Sequence, residues 1–114
     1  MSKRSRACDI SQKVRQQVKE RDRGCIFCHL GYRLPPEDEF TTCTGTFQIM
    51  HLVPRSQGGK GIPQNLAVGC LWHHNMLDNG NQGNRDEMIG LFEAYLRARY
   101  KDWDRKELIY NKWS

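Results

Sequence analysis

The sequence has no long apolar run. Its uninterrupted hydrophobic stretches stop after a few residues, as at Ile49-Met50 and Leu52-Val53, whereas a helix crossing a bilayer needs about 20. A membrane partner or a membrane-spanning helix is therefore not expected. Behind Met1-Ser2-Lys3-Arg4-Ser5-Arg6 there is no apolar segment of the kind that opens a secretory leader, so a reducing, cytoplasmic setting is expected. Internal repeats are absent too, and 114 residues suit one domain of ordinary size. What the chain does have is charge and cysteine. Lys plus Arg number 18 against 13 for Asp plus Glu, a net charge of +5. All of that excess lies in residues 1–24, with eight basic and three acidic side chains, since residues 25–114 hold ten of each. A basic N-terminal fifth favours a polyanionic partner, nucleic acid above all.

Residues 1–10 are polar and read as a flexible basic arm. From Ser11, an N-cap residue, the sequence turns helical, with Val14 and Val18 one turn apart on a thin apolar stripe. Lys13, Arg15, Lys19, Arg21 and Arg23 are expected to radiate from that helix. Pro35-Pro36 and the acidic run Glu37-Asp38-Glu39 indicate a surface loop. Phe47 to Val53 reads as a strand stopped by Pro54, and Gly58-Gly59-Lys60-Gly61 with Pro63 as a flexible loop. A short strand at 67–69 and a helix from Leu71 to Asp78, stopped by Asn79-Gly80, follow. Met88, Leu91, Phe92, Tyr95 and Leu96 recur at helical spacing, and Asn84 with Glu87 suggests a capping box for a helix over about 85–100. The tail, with Trp103, Leu108, Ile109, Tyr110 and Trp113, is too aromatic for a plain linker.

Five cysteines in a reducing compartment point away from a disulfide framework and towards metal chemistry or burial. Their spacing favours metal. Cys25-Ile26-Phe27-Cys28 and Cys70-Leu71-Trp72-His73 are two pairs, each separated by two residues, a span that lets both ligands of a tight turn face one ion. Together they predict a tetrahedral Cys3His structural zinc site that ties the start of the domain to its end. His29, His74 and Cys43 are neighbours that could compete as ligands, while Cys8 and Cys43 read as bystanders. His74 and Asp78, four residues apart on one helix, share a face where an imidazole and a carboxylate could hold a divalent cation.

The segment Phe47-Gln48-Ile49-Met50-His51-Leu52-Val53-Pro54-Arg55-Ser56-Gln57-Gly58-Gly59, followed by Asn65-Leu66 and Cys70-Leu71-Trp72-His73-His74, resembles the HNH endonuclease family. The resemblance runs from about Val14 to Asp78, and includes Arg21-Asp22 ahead of the first cysteine pair. The later stretch is similar to small stand-alone HNH proteins of bacteriophages and prophages, which implies a bacterial host cell as the setting and phage packaging or recombination proteins as further partners. The fold implied is α+β, a small zinc-stabilised ββα-metal domain with flanking N- and C-terminal helices. Its divisions are expected at 1–10 (arm), 11–80 (nuclease domain) and 81–114 (C-terminal helical extension on the same domain). Carried over residue by residue, the resemblance makes His51 the general base, Asn65 the residue that orients it, and His74, with Asp78, a ligand of a catalytic Mg2+, Mn2+ or Ni2+. Arg55 and Lys60, with Lys13, Arg15 and Lys19 of the basic helix, are the expected contacts to DNA. One position departs from the pattern. The residue before the base is usually an Asp or His that ligates the metal, and here it is Met50, whose thioether is a poor ligand for a hard cation. The function implied is metal-dependent hydrolysis of DNA phosphodiester bonds, by nicking or double-strand cleavage. The alternatives are a zinc-stabilised DNA-binding module with an impaired nuclease centre, and a zinc-dependent protein-interaction domain.

Overall fold

In the computed structural model, which describes residues 3–34 and 47–111, five helices surround a two-stranded antiparallel sheet. The helices are α1 (Lys3–Cys8), α2 (Gln12–Asp22), α3 (Ile26–His29), α4 (Leu71–Asp78) and α5 (Arg85–Arg99). The strands are β1 (Phe47–His51) and β2 (Leu66–Cys70). This is a small α+β domain with the ββα-metal arrangement, flanked by N- and C-terminal helices. The expected loop at Pro35-Pro36 and Glu37-Asp38-Glu39, Cys43 and Trp113 lie outside the described residues.

The sheet register pairs Phe47 with Cys70, Met50 with Ala67 and His51 with Leu66. Because strand side chains alternate, Ile49 and His51 share one face while Gln48 and Met50 share the other. On the first face Val18 of α2 packs with Leu66 and Val68, joined by Ile49 and Val14. On the second, Met50 enters the main core with Phe27, Leu77, Met88, Phe92 and Leu96. With a layer on each side, all five residues of β2 are buried. That is why Leu66-Ala67-Val68-Gly69 reads as a continuous apolar run without alternation. Gly69 is required where it stands, since a Cβ there would come within 2.4 Å of the Met50 Sδ.

Ser11 caps α2 as expected, accepting from the Val14 amide at 3.1 Å. Asn84 does not form the expected capping box. It makes no side-chain cap, and Glu87 instead accepts from the Tyr32 hydroxyl at 2.5 Å. The segment expected as a flexible arm contains helix α1, and the glycine loop beside it is held on two sides. The Gly61 amide donates to the Ala7 carbonyl at 3.0 Å, the Lys60 amide to Leu108 at 2.7 Å, and the Tyr110 amide to Gly58 at 2.7 Å. The aromatic tail therefore docks on this loop, with Trp103 donating to the Gln64 carbonyl at 2.8 Å.

Arg21 does not radiate outward with its neighbours. Its guanidinium makes five hydrogen bonds, two to Asp22 (2.6 and 3.0 Å) and one each to Pro63 O (2.8 Å), Tyr100 Oη (2.9 Å) and Leu66 O (2.6 Å). All five N–H donors of the group are thus used. The Asp22 carboxylate, its side chain fully buried, also accepts from the Val68 amide at 2.8 Å and from the Tyr95 hydroxyl. Burial works against the Arg21 charge, but hydrogen bonds to Asp22 and Tyr100 more than offset it and hold the pKa above its ordinary value. Burial, with the bond to Asp22, pushes the Tyr95 phenol up to about 12. Removing one partner of such a pair strands the other charge, so Asp22→Ala is expected to cost about 3–5 kcal/mol. Tyr95→Phe, which deletes one of the carboxylate's bonds, should cost about 1–2 kcal/mol. Urea unfolding of both variants checks the ranking, and equal losses would show that the carboxylate is not the hub of the network.

Candidate metal centre

Each sequence pair folds into the start of a helix. Cys25 is the N-cap of α3 with Cys28 three residues in, and Cys70 is the N-cap of α4 with His73 three residues in. Neither cysteine sulfur caps its own helix by a hydrogen bond. The side chains turn to one point, so that the three Sγ atoms and the His73 ring nitrogen all lie within 4.8 Å of one another. Individual separations are 3.4 Å from Cys25 Sγ to His73 Nδ1, 3.4 Å from Cys28 Sγ, 3.3 Å from Cys70 Sγ, and 3.8 Å between Cys28 and Cys70. A tetrahedral ion with metal–sulfur bonds of about 2.3 Å and a metal–nitrogen bond of about 2.0 Å would set ligand separations of about 3.8 Å (S to S) and about 3.5 Å (S to N). The cluster therefore already has the spacing of a chelating Cys3His set.

The surroundings prepare the ligands. His73 Nε2 lies 2.7 Å from the Tyr32 carbonyl, which can only accept, so that nitrogen carries the proton and Nδ1 presents its lone pair to the three sulfurs. Burial lowers the His73 pKa and keeps the ring neutral. Burial pushes the Cys25 thiol up to about 11, so a thiolate here calls for a cation beside it. Phe27, between the two cysteines of the first pair, packs on the His73 ring at 5.5 Å and edge-on to Phe92 at 6.3 Å, joining the cluster to the core. Among the competing histidines, exposed His29 instead faces the Arg23 carbonyl at 2.9 Å, and His74 turns elsewhere. Tyr32 is the contributor that no sequence spacing marks, because it acts through its backbone.

The remaining site residues do not converge as tightly. His74 Nδ1 meets the Gln48 side-chain oxygen and Nε2 lies 3.4 Å from Asp78 Oδ2. Among the described residues no third His, Cys, Asp or Glu joins that pair, and the Cys3His set is the one group of three or more. Met50 is fully buried in the core on the sheet face away from His51, so it is not an open ligand position. Asn65 does not reach the His51 ring. Its Oδ1 accepts from the Val53 amide (2.8 Å), and its Nδ2 donates to Val53 O (3.1 Å) and Lys60 O (2.9 Å), so it fixes the loop that follows β1.

His51 itself is half-buried, and its Nε2 is buried with no hydrogen-bond partner among the described residues. Burial lowers its pKa below the ordinary imidazole value of 6.5, and nearby positive charge, that of Arg55 first and Arg15 after it, lowers it further. Of the expected DNA contacts, Lys13, Arg15 and Lys19 are exposed on α2, Lys60 is half-buried, and Arg55 is exposed and paired with Asp9 at 2.7 Å. No helix among the described residues is long and apolar enough to cross a membrane.

Comparison of the chain with protein-family models, with curated proteins and with solved structures finds no match. The geometry alone thus carries the metal site, and it makes a direct test available. Elemental analysis should find about one tightly held divalent ion per chain. Cys25→Ser and Cys70→Ser should lose it together with the folded far-ultraviolet spectrum, because such ions supply folding free energy on the order of 10 kcal/mol. Cys8→Ser should keep both, and a folded, ion-free wild-type protein would remove the site.

Proposed function

We propose that this chain is a metal-dependent nuclease of the HNH type that hydrolyses phosphodiester bonds in DNA, with a structural zinc in the Cys3His cluster. The observation that carries the reading is a half-buried imidazole, His51, at the end of β1 in a ββα-metal fold, its Nε2 without a hydrogen-bond partner among the described residues and exposed Arg55 four residues on. Three thiolates and an imidazole at tetrahedral spacing select zinc over magnesium or calcium, which prefer oxygen ligands. In this role the zinc holds α3 and α4 together and stays out of the reaction.

In the proposed reaction His51 takes the proton of the attacking water. Its lowered pKa keeps the ring neutral, and so competent as a base, at neutral pH. The same surrounding charge that lowers the pKa attracts a phosphate, and Arg55 offers N–H donors shaped for its oxygens. Asn65 fixes the loop between His51 and Lys60, and with it the position of Arg55. Exposed Lys13, Arg15 and Lys19 give α2 a cationic face that suits the duplex backbone. A catalytic Mg2+, Mn2+ or Ni2+ would be held by His74 and Asp78 with the Gln48 amide oxygen nearby, and it would stabilise charge on the departing 3′ oxygen. The setting that suits this reading is the cytoplasm of a bacterial host cell, with DNA and phage packaging or recombination proteins as partners.

A second reading, a zinc-stabilised DNA-binding module with an impaired nuclease centre, draws support from one observation. Met50 is buried where the family places a metal ligand, which leaves the pair His74 and Asp78 without a third anionic or imidazole donor. Incubation of plasmid DNA with protein and added Mg2+, Mn2+ or Ni2+ separates the two: conversion to nicked or linear forms supports the nuclease, and a salt-sensitive shift without cleavage supports the binding module. In the nuclease, His51→Ala should lose about 10²–10⁴-fold in rate with zinc content unchanged. Because the base acts when neutral and its pKa lies below 6.5, cleavage should rise with pH on the acid side and level off by neutrality. A rate still climbing well above neutrality assigns the proton to another group.

A further inference from the structure

The segment ahead of α2 makes a set of contacts that a tail does not need. Arg4 of α1 donates to the carbonyls of Arg55 and Ser56, at 3.5 and 3.0 Å. The Gly61 amide meets the Ala7 carbonyl at 3.0 Å. A Cβ on Gly61 would fall 2.2 Å from the Asp9 carbonyl oxygen, so the two backbones touch. Cys8, at the end of α1, is 3% exposed and its backbone lies against the His51 ring. Next to it, Asp9 Oδ1 accepts from Arg55 at 2.7 Å. Thus the loop between β1 and β2 rests on residues 4–9 at Arg55, Ser56 and Gly61, and the one carboxylate of that segment holds Arg55, four residues beyond His51.

We propose that Asp9 is a positioning residue for the reaction at His51: it fixes the Arg55 guanidinium so that its remaining N–H donors meet the phosphate being attacked. This rests on the nuclease reading. The contact contributes little to folding, because its side chains are 50% and 40% exposed and ion pairs that open to water are weak. What an exposed carboxylate can do is choose among the many orientations of a long Arg side chain. Asp9 engages one terminal nitrogen of the five-donor group and leaves the rest in a fixed plane. A guanidinium restrained in advance loses less freedom when phosphate arrives. The arrangement also tempers affinity, since a cation shared with Asp9 is less available to bind duplex backbone non-productively.

Those two roles predict effects of opposite sign for Asp9→Asn, which also raises the net charge from +5 to +6. With the full-length, zinc-loaded protein, the variant should keep the wild-type melting temperature and metal content. Its turnover at saturating plasmid should fall about tenfold. Its affinity for a short duplex should hold or rise, with the log–log salt dependence steeper by about 0.9, as for one more phosphate contact. Asp9→Glu should restore turnover in part. Wild-type turnover in Asp9→Asn overturns the proposal, and so does a parallel loss of turnover, binding and melting temperature, which would mark a purely structural contact. The binding measurement needs no cleavage. If the wild-type protein cuts nothing, the nuclease reading fails on its own, and the salt slope still decides the clamp: a steeper slope retains Asp9 as a restraint on Arg55, and an unchanged slope removes it.

Discussion

Three sulfurs and one imidazole nitrogen gathered within 4.8 Å impose the closest restraint in the molecule, and the other layers are arranged around it. The ligands come from the first turns of two helices, so forming the cluster fixes where α3 and α4 begin and how they face one another. Phe27 transmits that restraint inward. It sits between two ligands in sequence, contacts a third in space and meets Phe92 of α5 edge-on. Chelation at this cluster would therefore be one cooperative event with apolar burial. A domain of this size, with a two-stranded sheet as its only sheet among the described residues, has little else to hold it.

A second polar knot lies at the start of β2. Arg21 and Asp22 are adjacent in the chain, yet their bonds reach the turn before β2, its first and third residues, and both Tyr95 and Tyr100 beside the end of α5. Every donor of the guanidinium has an acceptor, which is the condition under which burying such a group is tolerable. β2 thus carries a residue of the chelating Cys3His set at its end and an ion-pair network at its start. The consequence for function is that the strand opposite β1 cannot shift in register without breaking one or the other. The position of His51, paired with Leu66, is therefore fixed.

Much of this was legible from spacing. Two pairs with the same separation identified four residues that the structure brings together, because a ligand pair at an N-cap and three residues on is a local property of the chain. The helix from Leu71 to Asp78 and the long C-terminal helix followed from apolar period and turn residues for the same reason. Long-range polar contacts were not legible. The resemblance picked out Arg21-Asp22, but the helical pattern alone has Arg21 radiating like Arg15 and Arg23, because its inward turn depends on acceptors more than 40 residues away. The capping box at Asn84 failed because a tyrosine from a distant segment took Glu87. The arm gave no sign of docking, since α1 has almost no apolar stripe and is held by backbone and charge. For Asn65 and Met50 the sequence could not show where the side chain points, because that depends on the loop contacts of Asn65 and, for Met50, on sheet register and on Gly69, which leaves it room.

The separation of the two ligand pairs also ties the site to the topology of the chain. Cys25 and Cys28 meet within one helical turn, as do Cys70 and His73, but residues 29–69 lie between them. Either pair alone offers an ion two protein donors, a partial set that exchanges readily with solvent. The full set exists only once β1 and β2 have paired and the intervening chain has paid its loop-closure entropy. Binding of an ion by all four ligands and pairing of the strands would therefore be coupled. A metal at this site would act as a latch across residues 29–69, and its loss would leave the two ends of that stretch without the restraint that joins them.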